Sequence, residues 1–240
     1  MFDRKKYKRF AKVQIKGRWT VPVIIVLLTR IVVSIFELPD YLYIYNSGAM
    51  DSLWKGNFSE FWAILQSQPS SPTAFPLSML QIIVAQIFEL AALNVYIKMT
   101  RSPEKVSFSS FIEGFNNWGR ATLGILWQML WTFLWMLLFF IPGFIKMISY
   151  SQMFYLLAEY DNLSVTKAMR VSMEITRGHK WDLFVMYLSF IGWELLSIIT
   201  FGISNLFVSP YITLSLLNAY HGMLKEAVES GRITPEDLAE

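Results

Sequence analysis

The sequence predicts an all-α polytopic membrane protein, with about six transmembrane helices, short interfacial amphipathic helices and both termini cytoplasmic. Three observations predict it. Several windows of about 20 residues are apolar on every side, the length a helix needs to cross a hydrocarbon core of ~30 Å. Basic residues gather in alternate connections between those windows, as cytoplasmic loops do. Proline and glycine interrupt the apolar run where a continuous helix would outrun the bilayer. With 54% hydrophobic residues, 16% charged residues and a mean hydropathy of +0.40, the composition leaves the range of soluble domains. The windows also lack the alternation of barrel strands.

Residues 1–18 form a basic cytoplasmic arm: Arg4, Lys5, Lys6, Lys8, Arg9, Lys12, Lys16 and Arg18 against Asp3. Such a cluster before an apolar window orients the chain. With Phe2, Tyr7 and Phe10 interleaved, it is also suited to anionic headgroups. A single membrane domain, 19–224, is expected to follow. Its first span runs near 19–36 and opens with Pro22, tolerable in a first helical turn; no small-residue cleavage site follows Phe36, so a permanent helix is expected. The connection 37–74 holds one basic residue, Lys55, and belongs outside. Within it, Asn57 and Glu60 have capping-box spacing before Phe58, Phe61, Trp62 and Leu65, which predicts a short interfacial helix. Gln66 to Pro76, with Pro69 and Pro72, is its proline-punctuated exit.

The second span, 75–97, returns inward to Lys98, Arg101 and Lys105. An amphipathic turn near Phe108–Phe115 precedes the third span, 121–141, with Trp127, Trp131 and Trp135 on one face. Ala121 to Tyr160 as one helix would measure roughly 60 Å, twice the hydrocarbon thickness, so Pro142 and Gly143 are expected to mark an outer helix break. The fourth span is 144–159. An amphipathic helix, 164–177, follows on the cytoplasmic face, capped by Ser164 and closed by Gly178. The fifth and sixth spans lie near 181–201 and 203–224, the sixth with Pro210 inside, and 225–240 is a polar cytoplasmic tail. Basic residues then fall inside, with Lys55 outside and Lys146 just within the outer turn.

The runs Phe139-Phe140-Ile141-Pro142-Gly143-Phe144-Ile145-Lys146, Lys167-Ala168-Met169-Arg170-Val171-Ser172, Gly178-His179-Lys180-Trp181 and Leu188-Ser189-Phe190-Ile191-Gly192-Trp193 occur in order. In these blocks the chain resembles domain-of-unknown-function family 975, bacterial multi-pass integral membrane proteins. The resemblance covers most of 118–224 and implies the bacterial cytoplasmic membrane. The break with its basic segment is also similar to membrane domains found beside glycerophosphodiester phosphodiesterases. Neither resemblance implies an activity.

Charged and amide side chains inside spans are expensive and face a partner or a wet cavity. Arg30, Glu89, Asn94 and Glu194 therefore form a candidate intramembrane network; Arg30, Glu89 and Glu194 lie roughly 16, 12 and 20 Å from the inner boundary. Arg170, Arg177, His179 and Lys180 are candidate contacts for anionic lipids on the cytoplasmic face. The competing reading is a helix stop with a snorkelling lysine and an aromatic anchor. The two histidines are far apart in sequence and cysteine is absent, so no metal site is expected, nor any other cofactor. Hydrolase, metalloprotease, phosphate-loop and dinucleotide motifs are missing, which predicts no enzyme. Nucleic acid is not an expected partner; the bilayer, with anionic lipids of its cytoplasmic face, and another membrane protein are. The leading expectation is a non-catalytic scaffold or accessory subunit of an envelope, lipid or export process. Its rival is a small transporter or lipid-handling protein that uses Arg30, Glu89 and Glu194.

Overall fold

A computed structural model describes residues 2–67 and 74–238. It is all-α, with no strand among the described residues. The helices are α1 (Arg4–Ile15), α2 (Thr20–Asn46), α3 (Ala49–Trp54), α4 (Phe58–Gln66), α5 (Ala74–Arg101), α6 (Ser109–Gly114), α7 (Trp118–Leu138), α8 (Phe140–Tyr150), α9 (Met153–Glu159), α10 (Val165–Ile175), α11 (Lys180–Leu188), α12 (Ile191–Ile199) and α13 (Asn205–Glu229). Two compact units divide the chain, residues 1–27 with 86–240, and residues 28–85.

In the larger unit, α7 and α8 form an antiparallel hairpin. The chain turns at Phe139, which is extended (φ −159°, ψ 139°), three residues before the expected break. Pro142 instead sits in the first turn of α8, where its missing N–H costs nothing. Gly143 is the close-approach point: a Cβ there would lie 2.5 Å from Met136 Cγ and 3.0 Å from Met136 Cα. A second interruption, at Ser151-Gln152, splits the expected fourth span into α8 and α9. Lys146 is not isolated beside the outer turn. Its Nζ lies 3.8 Å from Met173 Sδ on α10 and 4.7 Å from the Trp135 ring centre.

Among the described residues, four helical stretches are long and apolar enough to cross a membrane: 20–46, 74–101, 109–138 and 180–199. The expected fourth and sixth spans are not among them. The fourth is broken into pieces of 11 and 7 residues. The sixth, α13, carries Ser215, Asn218 and His221, and protein rather than lipid sheathes it; Leu214, Leu217, Ala219 and Tyr220 are wholly buried. The first span runs ten residues further than expected, through Pro39 to Asn46.

The N-terminal arm is a folded element. Asp3 caps α1 by accepting from the Lys6 N–H, and one face of α1 lies along α13. Ala11 and Ile15 are buried, Tyr7 covers Gly222, and Gln14 and Asn218 exchange hydrogen bonds of 3.1 and 2.7 Å. Helix α10 begins at the expected cap, Ser164, but stops at Ile175 with Thr176 as its C-cap, two residues short of the expected end at 177; Gly178 lies in the turn beyond, at φ +89°, a value that suits glycine. Its apolar face packs on α7, α8, α9 and α13, so protein covers the surface expected to rest on the membrane.

The smaller unit contains α3, α4 and the facing parts of α2 and α5. Asn57 caps α4 as its spacing predicts: Oδ1 accepts from the Glu60 N–H (3.3 Å) and Nδ2 donates to Glu60 Oε2 (2.8 Å). No residue of α4 is buried, which leaves Phe58 and Trp62 exposed as an interfacial helix requires. Glu37 ties α2 to α5, accepting from Gln81 Nε2 (2.9 Å) and the Tyr41 hydroxyl (3.1 Å). Pro69 and Pro72, the core of the expected exit from α4, lie outside the described residues.

Candidate functional site

A helix ends with carbonyls that lack intrahelical donors, and a guanidinium can serve several at once. Three arginines do so here. Arg18 donates to Met99 O (3.2 Å), Ser102 O (2.7 Å) and Glu104 O (3.0 Å) after α5. Arg120 donates to Leu157 O (2.9 Å), Tyr160 O (2.7 Å) and Leu163 O (2.6 Å) after α9. Arg232 donates to Glu174 O (3.1 Å) and Arg177 O (2.9 Å) after α10. Basic residues expected only to orient the chain therefore also bind its helix ends together.

Beside the Arg120 clamp lies a carboxylate with three partners. Glu159, its side chain only 7% exposed, accepts from Arg101 Nη2 through Oε1 and from the Tyr220 hydroxyl through Oε2 (2.8 Å). His221 Nε2 lies 3.4 Å from Oε1. Tyr155 stacks on Tyr220 at 5.4 Å, carrying the cluster into the bundle.

Deeper in, the Ser151-Gln152 break exposes backbone groups that α10 satisfies. Ser172 Oγ donates to Ser149 O (2.7 Å) and accepts from the Gln152 N–H (3.2 Å), and Thr176 Oγ1 reaches the same carbonyl at 3.4 Å. Not every buried polar side chain of the larger unit has a protein partner among the described residues. Gln86 Nε2, Gln128 Oε1, Thr132 Oγ1 and Gln152 Oε1 are buried with no protein partner. Gln128 and Thr132 share one face of α7. Gly124 abuts Met153, Phe154 and Leu157, and Gly143 abuts Met136, so the antiparallel register sets Gln128 opposite the break. Gln86 lies one turn before Glu89 on α5. Within its own unit Glu89 has no hydrogen bond or ion pair among the described residues. Glu89 and Tyr187 are exposed residues of the larger unit.

Of the candidate intramembrane network, Glu89, Asn94 and Glu194 belong to the larger unit and Arg30 to the smaller. Arg30 is an exposed residue of the smaller unit. Glu194 is exposed in the first turn of α12. Asn94 donates to Ser110 O (2.9 Å), which fastens α6 to α5. Of the lipid candidates, Arg170 and Arg177 are exposed, the latter 3.5 Å from Glu174. His179 is turned inward instead, because Gly178 reverses the chain toward α13. Its Nε2 lies 2.8 Å from Glu226 Oε1, its Nδ1 lies 3.4 Å from Asp182 Oδ2, and the Phe2 ring covers it. That contact holds the Glu226 carboxyl below the usual carboxylate range. Lys180 opens α11, half-buried. Sequence reasoning missed Arg101, Tyr220 and His221 as partners of Glu159, and the amides around Glu89. The available signal was Gln86, Gln128 and Gln152 standing in otherwise apolar windows.

The family described as "Protein of unknown function (DUF975)" matches residues 124–227, which contain the hairpin, the broken helix, α10 and most of α13. No curated protein and no solved structure matches the chain.

Proposed function

With residues 124–227 assigned to this family of unknown function, we propose that the chain is a non-catalytic, multi-pass protein of the bacterial cytoplasmic membrane that admits a small polar ligand or a lipid headgroup into a polar interior. Six crossings with both termini inside fit the distribution of basic residues. In that arrangement α8–α9 and α13 cross while wrapped by more apolar neighbours, as interrupted and polar helices of transporters do.

The observation that carries this reading is the set of unpartnered polar atoms at Gln86, Gln128, Thr132 and Gln152. An unsatisfied polar group in an apolar medium costs several kcal/mol, and four of them in one bundle are retained where water or a ligand reaches them. A scaffold, the leading expectation from sequence, has no use for them. The chain contains no cysteine, so the test needs no background substitutions. Gln128→Cys, Thr132→Cys and Gln152→Cys in open membrane fragments should react with a charged, membrane-impermeant methanethiosulfonate. Leu137→Cys, exposed on the α7–α8 hairpin, should stay unlabelled in lipid, and Ser107→Cys, in the exposed loop before α6, should react fully. Labelling at Ser107 with none at the three interior positions would mean a dry bundle and return the scaffold reading.

A further inference from the structure

Helix α1 carries its charge where a helix least favours it. Its first turn is Arg4-Lys5-Lys6, with no acidic residue, at the terminus whose N–H groups already attract anions and repel cations. Asp3 offers one carboxylate, and its Oδ1 accepts from the Lys6 N–H (3.0 Å). None of the arginines and lysines of α1 makes an ion pair among the described residues. The acids at the facing ends of α11 and α13 are engaged elsewhere: Glu226 and Asp182 with His179 (2.8 and 3.4 Å), and Glu229 with Lys225 (3.7 Å). Yet α1 is folded and docked on α13, so its charges are held together rather than dispersed on a loose tail. Such a cluster costs stability until an anion joins it.

The cluster borders a cleft. Arg4, Lys5, Lys6 and Lys8 line a space of about 600 Å³ together with Ser189, at the joint of α11 and α12. Lys8 bridges the two sides: its Nζ donates to Ser189 Oγ (2.6 Å) and Ser189 O (3.3 Å) and stands 4.1 Å from the Phe190 ring centre. Burial, with the charges of Arg4 and Lys12 added, pulls the Lys8 ammonium below the ordinary lysine range, as an uncompensated positive field does. Arg4, Lys5 and Lys6 are exposed. On either side of the Ser189-Phe190 joint, Leu188 and Ile191 are 45% and 52% exposed, so the cationic cleft adjoins apolar surface.

We propose that this cleft binds the headgroup phosphate of an anionic phospholipid, with the acyl chains lying along Leu188 and Ile191. The site shares no residue with the hydrated interior proposed above. A phosphate supplies the anion that α1 lacks, and the Arg4 guanidinium can clasp two of its oxygens at once. Inorganic phosphate would meet the same cations but leave the apolar neighbours uncovered, whereas a lipid satisfies both.

Native mass spectrometry of the full-length protein in an uncharged maltoside detergent counts bound lipid as phosphatidylglycerol is added. One phosphatidylglycerol should bind ahead of any others, and phosphatidylcholine should not take its place. Arg4→Gln/Lys5→Gln should raise the lipid concentration for half-occupancy roughly tenfold, and Lys5→Gln alone about threefold. Both variants remove cations from a helix N-terminus, so their thermal midpoints in gel filtration should equal or exceed that of the parent chain. Arg9→Gln/Lys16→Gln takes the same charge from exposed positions outside the cleft and should shift half-occupancy by less than about twofold. Equal shifts in the two double variants would overturn the site, because a diffuse basic face would then be attracting the lipid. Half-occupancy unchanged in Arg4→Gln/Lys5→Gln would overturn it as well. So would displacement of the lipid by inorganic phosphate at equal concentration, since the cleft would then take a free anion without need of acyl chains. None of these outcomes depends on labelling at Gln128, Thr132 or Gln152.

Discussion

Gly114→Ala tests how closely α6 is pressed onto α5. A Cβ built at Gly114 would lie 2.6 Å from Ala91 Cα, 2.7 Å from Ala91 O and 3.0 Å from Ala91 C. All three are backbone atoms of a long, buried helix, so no side-chain rotation relieves the overlap and α6 must move as a body. Overpacking of this kind costs about 1–3 kcal/mol. Alanine recovers about 1 kcal/mol of helix propensity, which leaves a net loss of up to about 2 kcal/mol. The displacement also strains two bonds that depend on the same approach, Asn94 Nδ2 to Ser110 O (2.9 Å) and Lys98 Nζ to Ser110 Oγ (2.9 Å). Gly119→Ala and Gly192→Ala are the controls, because a Cβ at either meets nothing within 4 Å. The assay is the midpoint of heat-induced loss of the monodisperse peak in fluorescence-detected gel filtration. Gly114→Ala should fall below the parent chain and both controls should equal or exceed it. A Gly114→Ala protein as stable as the controls would refute the close packing of α6 on α5.

Three further outcomes follow from the geometry. Arg120→Ala should destabilise by about 1.5–3 kcal/mol, because the carbonyls of Leu157, Tyr160 and Leu163 lose a shared charged donor; Arg120→Lys should restore little, since a single ammonium cannot span all three. Glu226 sits below the usual carboxylate range through its bond to His179, so its contribution is present above the ordinary carboxylate pKa and is lost as pH falls through the lowered folded value. A melting series below about pH 4.5 should therefore show an acid limb that Glu226→Gln flattens, and an unchanged limb would refute the contact. Ser172→Ala removes the strongest donor to Ser149 O and the acceptor for the Gln152 N–H, and should cost about 1–3 kcal/mol, with Ser172→Thr partly restoring it. Thermal gel filtration of the pair decides this.

Local signals were legible because their physics is contained within a few residues. Asn57 caps α4 and Ser164 caps α10, since a side-chain oxygen three residues before an orphan N–H needs nothing else. Gly178 turns the chain between α10 and α11, because glycine takes φ +89° without strain, although α10 itself stops earlier, at Ile175. The hairpin was visible in Pro142-Gly143, but its turn was misplaced. Proline is accepted in a first helical turn, so the break moved upstream to Phe139, and Gly143 serves contact with Met136. The second interruption, Ser151-Gln152, carries neither proline nor glycine; the hydroxyls of Ser172 and Thr176, brought from another helix, make it tolerable.

The class of this protein follows from its amino acids alone: a helical chain whose apolar windows match a bilayer and whose basic residues cluster between them. Those properties sum over many residues and do not depend on which helix meets which. The partners of the polar residues follow from the packed fold. It docked the basic arm on α13, set Arg18, Arg120 and Arg232 on helix ends, turned His179 onto Glu226, joined Glu159 to residues about 60 positions away, and left four orphaned polar atoms in the larger unit. A hydrogen bond or ion pair is decided over about 3 Å, and a helix rotated by one residue, about 100°, presents a different side chain at that distance.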